Sequence, residues 1–500
     1  MGEERRGQES GPRIAIIGAG MAGILSAIRL GEAGISDLVI YEKGDGLGGT
    51  WRENTYPGIA CDVPSHLYSY SFAPNAEWSH RFSPGGEIRA YFEAVARRHR
   101  VTDRVRLGEE VTRCQFSEGR WRLETRRGRR DVADIVIAAT GVLHHPNIPA
   151  IDGLEDFEGA HFHSARWDHR VRLDGRRVGI VGTGSSAVQI TSAIVDRVEK
   201  LSLFQRTPQW ILHQDNPPYS EAEKAEFRRD PRRILELREQ ISRLFAENFS
   251  NAVVDADSPQ MKLIEEACRA NLESSVKDPE LREKLRPDYR AACKRLIISP
   301  DFYRAIQQPN AELVTEGIQR VEARGVRTRD GRLHELDLLV LATGFRVDRF
   351  LRPMQVIGRN GTSLDEVWAR RPTAYLSISI PGFPNLFMLN GPNGPVGNFS
   401  LIEVAELQLD YILQLIELLR SGRCREISAR PEATRRFDAD RVEAARRTVW
   451  TTGCRSWYLD DRGIPAVWPW TFDRFREEMA APKLEAFELL GGAAKTAALP

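Results

Sequence analysis

The sequence predicts an α/β protein made of two dinucleotide-binding, Rossmann-like domains with a helical insertion in the second. Three observations carry that prediction: a strand, glycine turn and helix over residues 13–30, the same order again over residues 177–190, and a helix-rich stretch over residues 214–291. In the first unit Ile14-Ala15-Ile16-Ile17 is a short apolar run of buried-strand type. Gly18-Ala19-Gly20-Met21-Ala22-Gly23 then opens an apolar helix reaching about Leu30, and Leu38-Val39-Ile40-Tyr41 supplies the next strand. In the second unit Val178-Gly179-Ile180-Val181 leads into Gly182-Thr183-Gly184-Ser185-Ser186-Ala187, with a further strand at Leu201-Ser202-Leu203-Phe204. Two more apolar strands end alike, in Ala139-Thr140-Gly141 and in Ala342-Thr343-Gly344, where a chain passing between two domains would cross twice. Residues 214–291 carry Arg, Lys and Glu among Leu, Ile and Ala at helical spacing, with few glycines. Glu403 to Leu419 is another long helix, and the last fifteen residues, 486–500, are expected to fray.

Five hundred residues exceed one compact domain, so two or three domains with ample cores are expected. Lys+Arg 71 against Asp+Glu 70 leaves a formal charge of +1, which gives nucleic acid or an anionic membrane no global field to follow. The basic run Arg126 to Arg130 joins two strands and is expected to be a solvated hairpin tip. Met1 to Ser10 lacks an apolar signal core, and no apolar run approaches the roughly 18 residues of a membrane span. Cysteines stand at 61, 114, 268, 293, 424 and 454 with no C-x-x-C pair. That spacing argues against a zinc ribbon, a dithiol redox centre and a secreted disulfide scaffold, and a reducing cytoplasm is expected.

A single G-x-G-x-x-G is weak evidence, but two in strand–turn–helix context point to nucleotide chemistry. The first glycine makes the turn, the second admits a pyrophosphate to the backbone, and helix N-terminal amides stabilise its charge. Gly18, Gly20 and Gly23 are placed for this in the first unit. In the second the equivalent positions are Gly182, Gly184 and Ala187, with Thr183, Ser185 and Ser186 between them. Counting 22 residues from Gly20 reaches Glu42, a carboxylate suited to a ribose diol. The same count from Gly184 reaches Arg206, followed by Thr207. A carboxylate there would repel a 2′-phosphate, whereas a guanidinium binds it through paired hydrogen bonds. FAD in the first unit and NADPH in the second is the economical assignment. It divides the chain into a FAD-binding domain (1–150 and 344–485), an NADPH-binding domain (151–213 and 292–343), the insertion (214–291) and the tail. Cys61 has no cysteine within 50 residues, so reaction with oxygen is the expected fate of a reduced flavin.

Two longer patterns narrow the chemistry. Residues 157–168 match F-x-G-x-x-x-H-x-x-x-W-D through Phe157, Gly159, His163, Trp167 and Asp168, and Gly48, Gly49, Trp51, Tyr56, Pro57, Gly58 and Asp62 match G-G-x-W-x-x-x-x-Y-P-G-x-x-x-D. On these motifs the chain resembles the type I Baeyer-Villiger monooxygenases over nearly its whole length. The resemblance implies an NADPH- and O2-dependent flavoprotein that converts a ketone to an ester or lactone through a flavin C4a-peroxide. It places the essential arginine at Arg295, preceded by Lys294 as partner of Arg206 on the 2′-phosphate, and makes Asp62 the carboxylate that holds Arg295. Arginine stays protonated in a dry pocket, where it can steady a peroxide anion and then the oxyanion of the ketone adduct. The resemblance groups His163 with Arg295 and Asp62 in the catalytic set, as a residue that orders the interdomain linker and influences coupling.

The same resemblance assigns FAD contacts to Gly49, Thr50, Trp51, Tyr68, Val111 and Leu401, and an NADP contact to Trp457 in Ser456-Trp457-Tyr458, the start of a mobile C-terminal loop. Leu459-Asp460-Asp461-Arg462-Gly463 departs from the cyclohexanone-type loop. Two other readings stand beside this one: a flavin monooxygenase that oxidises nitrogen or sulfur, against which Trp167-Asp168 and Lys294-Arg295 argue, and a flavin-binding sensor without turnover.

Overall fold

The computed structural model describes residues 11–492, so the polar leader before Gly11 and the residues after Gly492 lie outside it. Two five-stranded parallel sheets organise the chain, as the repeated strand–turn–helix pattern predicts. The first has the order Leu386–Met388, Ile135–Ala138, Ile14–Ile17, Leu38–Glu42, Val105–Leu107; the second runs Ala311–Val314, Lys200–Phe204, Arg177–Val181, Leu338–Leu341, Ala160–His163. In each the glycine-turn strand is central, flanked by the strand that follows its helix and by the strand that ends in Ala-Thr-Gly. The ladders match bond for bond. Gly18 N donates to Tyr41 O (2.8 Å) and Ala139 N to Ile17 O (2.9 Å), while Gly182 N donates to Phe204 O (3.1 Å) and Ala342 N to Val181 O (2.9 Å).

Gly18 (φ +105°) and Gly182 (φ +116°) lie in backbone conformations that side chains disfavour. A Cβ on either would run into the carbonyl of Ala139 or Ala342 on the neighbouring strand, so both turns close only on glycine.

The apolar runs explain the layers. Leu401–Arg420 buries Ile402, Ala405, Leu409, Ile412 and Ile416 at helical spacing, and packs with Met21–Glu32 and Gly85–Arg98 on one face of the first sheet. The other face meets the four-stranded sheet Gln355–Ile357, Val111–Ser117, Arg120–Thr125, Arg130–Ala133. Arg126 to Arg130 forms the hairpin tip between the last two of these strands, with Arg126 paired to Glu110 at 2.6 Å.

Between Glu221 and Leu285 every element is helical, and the caps show why. Ser220 and Glu223 form a reciprocal capping box, and Ser258-Pro259 and Asp278-Pro279 each set a capping side chain before a first-turn proline. A two-residue parallel ladder, Ile211↔Ile297 and Leu212↔Ile298, brings the two ends of this stretch together.

One expectation fails, and one pairing was not foreseen. Phe487–Leu490 is not a frayed tail: it pairs antiparallel with Glu426–Ala429, and Phe487 is buried against the core. Cys293 and Cys454 form a disulfide across 161 residues of sequence, with Cα atoms 6.1 Å apart. Spacing in sequence hid it, because the fold, not local chain, brings the two together. The other four cysteines are free and buried. Among the described residues, no helix is long and apolar enough to cross a membrane.

Candidate active site

A cleft runs from the first glycine turn to the start of the Leu401 helix. Gly18, Gly20, Glu42, Gly49, Thr50, Trp51, Tyr68, Val111 and Leu401 all line it. Gly23 does not: it lies behind the turn, where its lack of a side chain lets the helix pack on the Gly18 carbonyl. At one end the helix starting at Met21 presents its first turn, whose N–H groups have no partner within a helix. Glu42, buried at its strand end, accepts from Ala19 N (2.8 Å) and Gly44 N (2.7 Å). A carboxylate has about four acceptor positions, so this anchoring leaves capacity for a diol. At the other end Trp51 Nε1 donates to the Tyr68 hydroxyl at 3.1 Å, with the rings edge to face at 5.7 Å. An elongated slot with amides at one point, a fixed carboxylate at another and an aromatic wall fits FAD.

The second glycine turn is equally open, since nothing lies within 4 Å of where a Gly184 Cβ would stand. Ala187 is buried behind it, and the Thr183 hydroxyl donates to Thr207 O at 2.7 Å, fixing the end of the next strand. Ser185 and Ser186 form the first turn of the helix Ser185–Ile194, and Ser186 also donates to the Tyr56 hydroxyl at 3.1 Å. Arg206 is exposed at the strand end, and Lys294, half-buried, sets its Nζ 4.6 Å from the Tyr289 ring centroid. Burial and the neighbouring Arg206 charge hold the Lys294 pKa below that of an ordinary lysine. Two cations this close form a place for an anion, and the open turn beside them fits the phosphates of NADPH.

Arg295 follows Lys294 and is held on three sides. Its Nε donates to Asp62 Oδ2 at 3.2 Å, one terminal nitrogen makes a short contact to the same oxygen, and the other donates to Gly397 O at 2.5 Å. Tyr458 packs against Gly397 behind that carbonyl. Burial disfavours the guanidinium charge, but the Asp62 carboxylate outweighs it, so the pKa rises above the ordinary arginine value. The side chain nevertheless keeps 28% of its surface free. It is a fixed cation, deep in the protein, with one face available.

His163 stands elsewhere. Its Nδ1 accepts from Ala165 N (3.1 Å), which leaves Nε2 to donate to Gly344 O (3.0 Å). Both ring nitrogens are engaged by backbone where the two interdomain crossings run side by side, latched by the Pro146↔Phe345 bridge. Held so, His163 ties together the main chain of the two crossings. Trp167 is packed edge to face on Phe162 at 5.0 Å, and Asp168 pairs with Arg170 at the surface. Trp457 is 39% exposed beside Tyr458.

Three features escaped the sequence. Gly397 acts through a main-chain carbonyl, which no residue type announces. Tyr458 stood beside the chosen Trp457 with nothing to show which of the two turns inward. Tyr56 proves to be a tie between the halves, its hydroxyl 3.0 Å from Gln189 Oε1 on the second unit's helix.

His66 adds a pH dependence. It is 1% exposed, packed on Tyr219 (5.2 Å) and Phe227 (4.9 Å), and both ring nitrogens lack partners. Burial pushes its pKa down from 6.5 to about 4. Between those values the unfolded chain binds a proton here that the folded chain refuses, so stability falls on acidification, by up to about 3 kcal/mol. His66→Phe should flatten that part of the slope in melts taken from pH 7 to 4. An unchanged slope would assign the acid sensitivity elsewhere.

The comparisons agree with this geometry. Residues 15–228 match the pyridine nucleotide-disulphide oxidoreductase family. A Baeyer-Villiger monooxygenase of Streptomyces coelicolor is 41% identical, over 96% of this chain and 92% of its own. The chain belongs to the Baeyer-Villiger monooxygenases. Another relative in sequence is an uncharacterized monooxygenase of Mycobacterium tuberculosis, 47% identical over 96% of each chain. Among solved structures, cyclohexanone monooxygenase from Rhodococcus sp. Phi1 bound to NADP+ superposes with a TM-score of 0.86 at 29% identity, covering 97% of this Baeyer-Villiger monooxygenase and 100% of that chain.

Proposed function

We propose that this chain uses NADPH and O2 to insert one oxygen atom beside a ketone carbonyl, giving an ester or lactone. The observation that carries the reading is the Arg295–Asp62 pair: a restrained cation with a free face, on a chain with two open dinucleotide cradles. FAD and NADPH are its cofactors. Gly18, Gly20, Glu42, Trp51, Tyr68, Val111 and Leu401 hold the first, while Gly182, Gly184, Ser185, Arg206, Lys294 and Trp457 hold the second. Reduced FAD supplies the electrons that activate oxygen; the remaining work falls to side chains. Asp62 and the Gly397 carbonyl fix the plane of Arg295, so its charge is oriented before any negative charge develops on the ketone oxygen. No reorganisation is then needed at the moment of reaction. Arg206 and Lys294 place the nucleotide by its 2′-phosphate, and His163 holds the crossings that join the two halves. A small-molecule substrate in a cytoplasmic setting completes the reading.

The test is incubation with NADPH and linear, aryl, monocyclic and polycyclic ketones, with mass spectrometry for a gain of one oxygen and a sulfide in parallel. Ester or lactone should form. Oxidation of the sulfide with no ester from any ketone would move the chain to the heteroatom oxidisers.

Arg206→Ala should lose about 1.5 to 3 kcal/mol of NADPH binding, the scale of a charge-assisted hydrogen bond. NADH binding should hardly change. Titration of both nucleotides decides it, since equal losses would show that Arg206 does not read the phosphate.

A further inference from the structure

The disulfide ties together two segments that matter to one side chain. Cys293 directly precedes Lys294-Arg295, and Cys454 opens the segment that carries Trp457 and Tyr458. Tyr458 is buried, packed on Trp450 at 5.4 Å, with its hydroxyl end against Gly397, whose carbonyl accepts from Arg295. Bridge and hydroxyl therefore hold the arginine's segment from the same stretch of chain. Beyond it the loop closes on itself through Asp460 N to Ile464 O (2.8 Å) and Ala466 N to Tyr458 O (2.7 Å). On the other side of the bridge Ala292 has φ +61°, a left-handed conformation that a residue with a Cβ keeps only under restraint from its surroundings. Cys293 and Cys454 pack with Met261, Cys268, Trp450 and Tyr458 in one apolar cluster.

We propose that Cys293–Cys454 is a redox modification site that sets whether the C-terminal loop keeps Arg295 in its working position. Oxidised, the bridge holds Tyr458 against Gly397, the carbonyl partner of Arg295, and electrons from NADPH end in ester. Reduced, the loop loosens, Gly397 loses the Tyr458 side chain packed against it, Arg295 keeps Asp62 with a less firmly placed Gly397 carbonyl, and NADPH oxidation runs on to hydrogen peroxide. In a reducing compartment, protein disulfides are mostly transient or redox-sensing, which is the use assigned to this one.

The chemistry balances with a dithiol and a peroxide. A dithiol's thiolate attacks one sulfur and breaks the S–S bond. Its second thiol then closes its own disulfide, and two electrons and two protons end on the Cys293 and Cys454 thiols. In the reverse direction hydrogen peroxide takes two electrons. Its O–O bond breaks, the S–S bond forms, and the two thiol protons leave with the oxygens as two waters. Uncoupled turnover makes that peroxide, so the leaking state generates the oxidant that restores the bridge. Both sulfurs are sheltered, Cys293 at 0% and Cys454 at 7% exposure, so exchange requires the loop to open first.

The coupling part of this inference rests on the ketone-oxygenase reading; the hold of the bridge on the loop does not. The test uses the FAD-loaded protein, oxidised or treated with dithiothreitol, with the thiol count followed by alkylation and mass spectrometry. Amide hydrogen exchange over residues 455–466 and ester formed per NADPH are the two readouts. Reduction should speed exchange in this loop by about tenfold and lower ester per NADPH by about tenfold, short of the roughly hundredfold that an ångström of misplacement costs. Reoxidation with hydrogen peroxide should restore both. Cys454→Ser and Cys293→Ser should behave as the reduced protein and ignore dithiothreitol; the untouched sequence under reductant answers the question if either variant misfolds. Loop exchange indifferent to reductant, or variants as well coupled as the oxidised protein, would overturn the proposal. Faster loop exchange at unchanged coupling would overturn the link to Arg295. A redox-responsive loop in a protein that makes no ester under any condition would uphold the hold of the bridge and overturn the ketone-oxygenase reading.

Discussion

Arg295→Ala is expected to accept hydride from NADPH and to yield no ester. The first half follows from distance in function: the FAD cradle is lined by residues of the first unit, and the nucleotide keeps Arg206, Lys294 and the open Gly184 turn. The second half follows from charge. Removing one preorganised stabiliser of developing charge costs a factor of about 100 to 1,000, and this residue is a full cation whose partners outweigh its burial. Asp62 would also be left without its guanidinium, so negative charge would replace positive charge where the ketone oxygen becomes an anion. NADPH consumption should continue with hydrogen peroxide released in place of product. Stopped-flow absorbance follows flavin reduction, a peroxide assay follows the leak, and product analysis counts ester per NADPH. Substantial ester from the variant would take the chemistry away from Arg295.

Gly20→Val should purify folded and colourless. A Cβ at Gly20 would meet only the Gly49 backbone, with Cα 3.4 Å and N 3.8 Å away, whereas one at Gly23 would collide with the Gly18 carbonyl. The valine methyls therefore enter the cleft, in the space a pyrophosphate needs, and the fold is spared. Flavin content from the absorbance spectrum, beside a melt that confirms folding, reads the outcome. A yellow, fully loaded variant would mean that the first glycine turn does not carry FAD.

Both sheets were legible because their signals are local. Ile14–Ile17 and Val178–Val181 are apolar runs that end in glycines, and sterics at Gly18 and Gly182 leave those turns one way to close. Helices at Ser220, Ser258 and Asp278 carry their caps in the sequence. Arg295 and Asp62 were paired only because a longer motif resembles a known family; 233 positions separate them, and no periodicity spans that interval. Gly397, Tyr458 and the Cys293–Cys454 bond were out of reach for the same reason, since each depends on chain returning from a distance. The strand Phe487–Leu490 was missed because the glycine- and alanine-rich residues after it gave the whole end the look of a tail. Cross-strand pairing with Glu426–Ala429 decided it instead.

The stretch that leaves the second unit at Leu212 and rejoins it at Ile297 does more than extend that unit. Its helix Arg232–Phe245 reaches across to the first: Arg238 pairs with Glu406 at 3.0 Å and donates to Leu67 O, and Ser242 donates to Glu403 at 2.8 Å. The Arg238–Glu406 pair is largely shielded, at 11% and 16% exposure, so breaking it strands charge in a poorly solvated place. The helical stretch is thus a strut. Two halves joined by paired crossings alone could pivot freely about them; the Tyr56–Gln189 tie and this strut are further anchorages, and the strut leaves mainly rotations that keep its foot in place. Any swing that carries NADPH past the flavin edge must therefore turn about a line near Arg238 or release it.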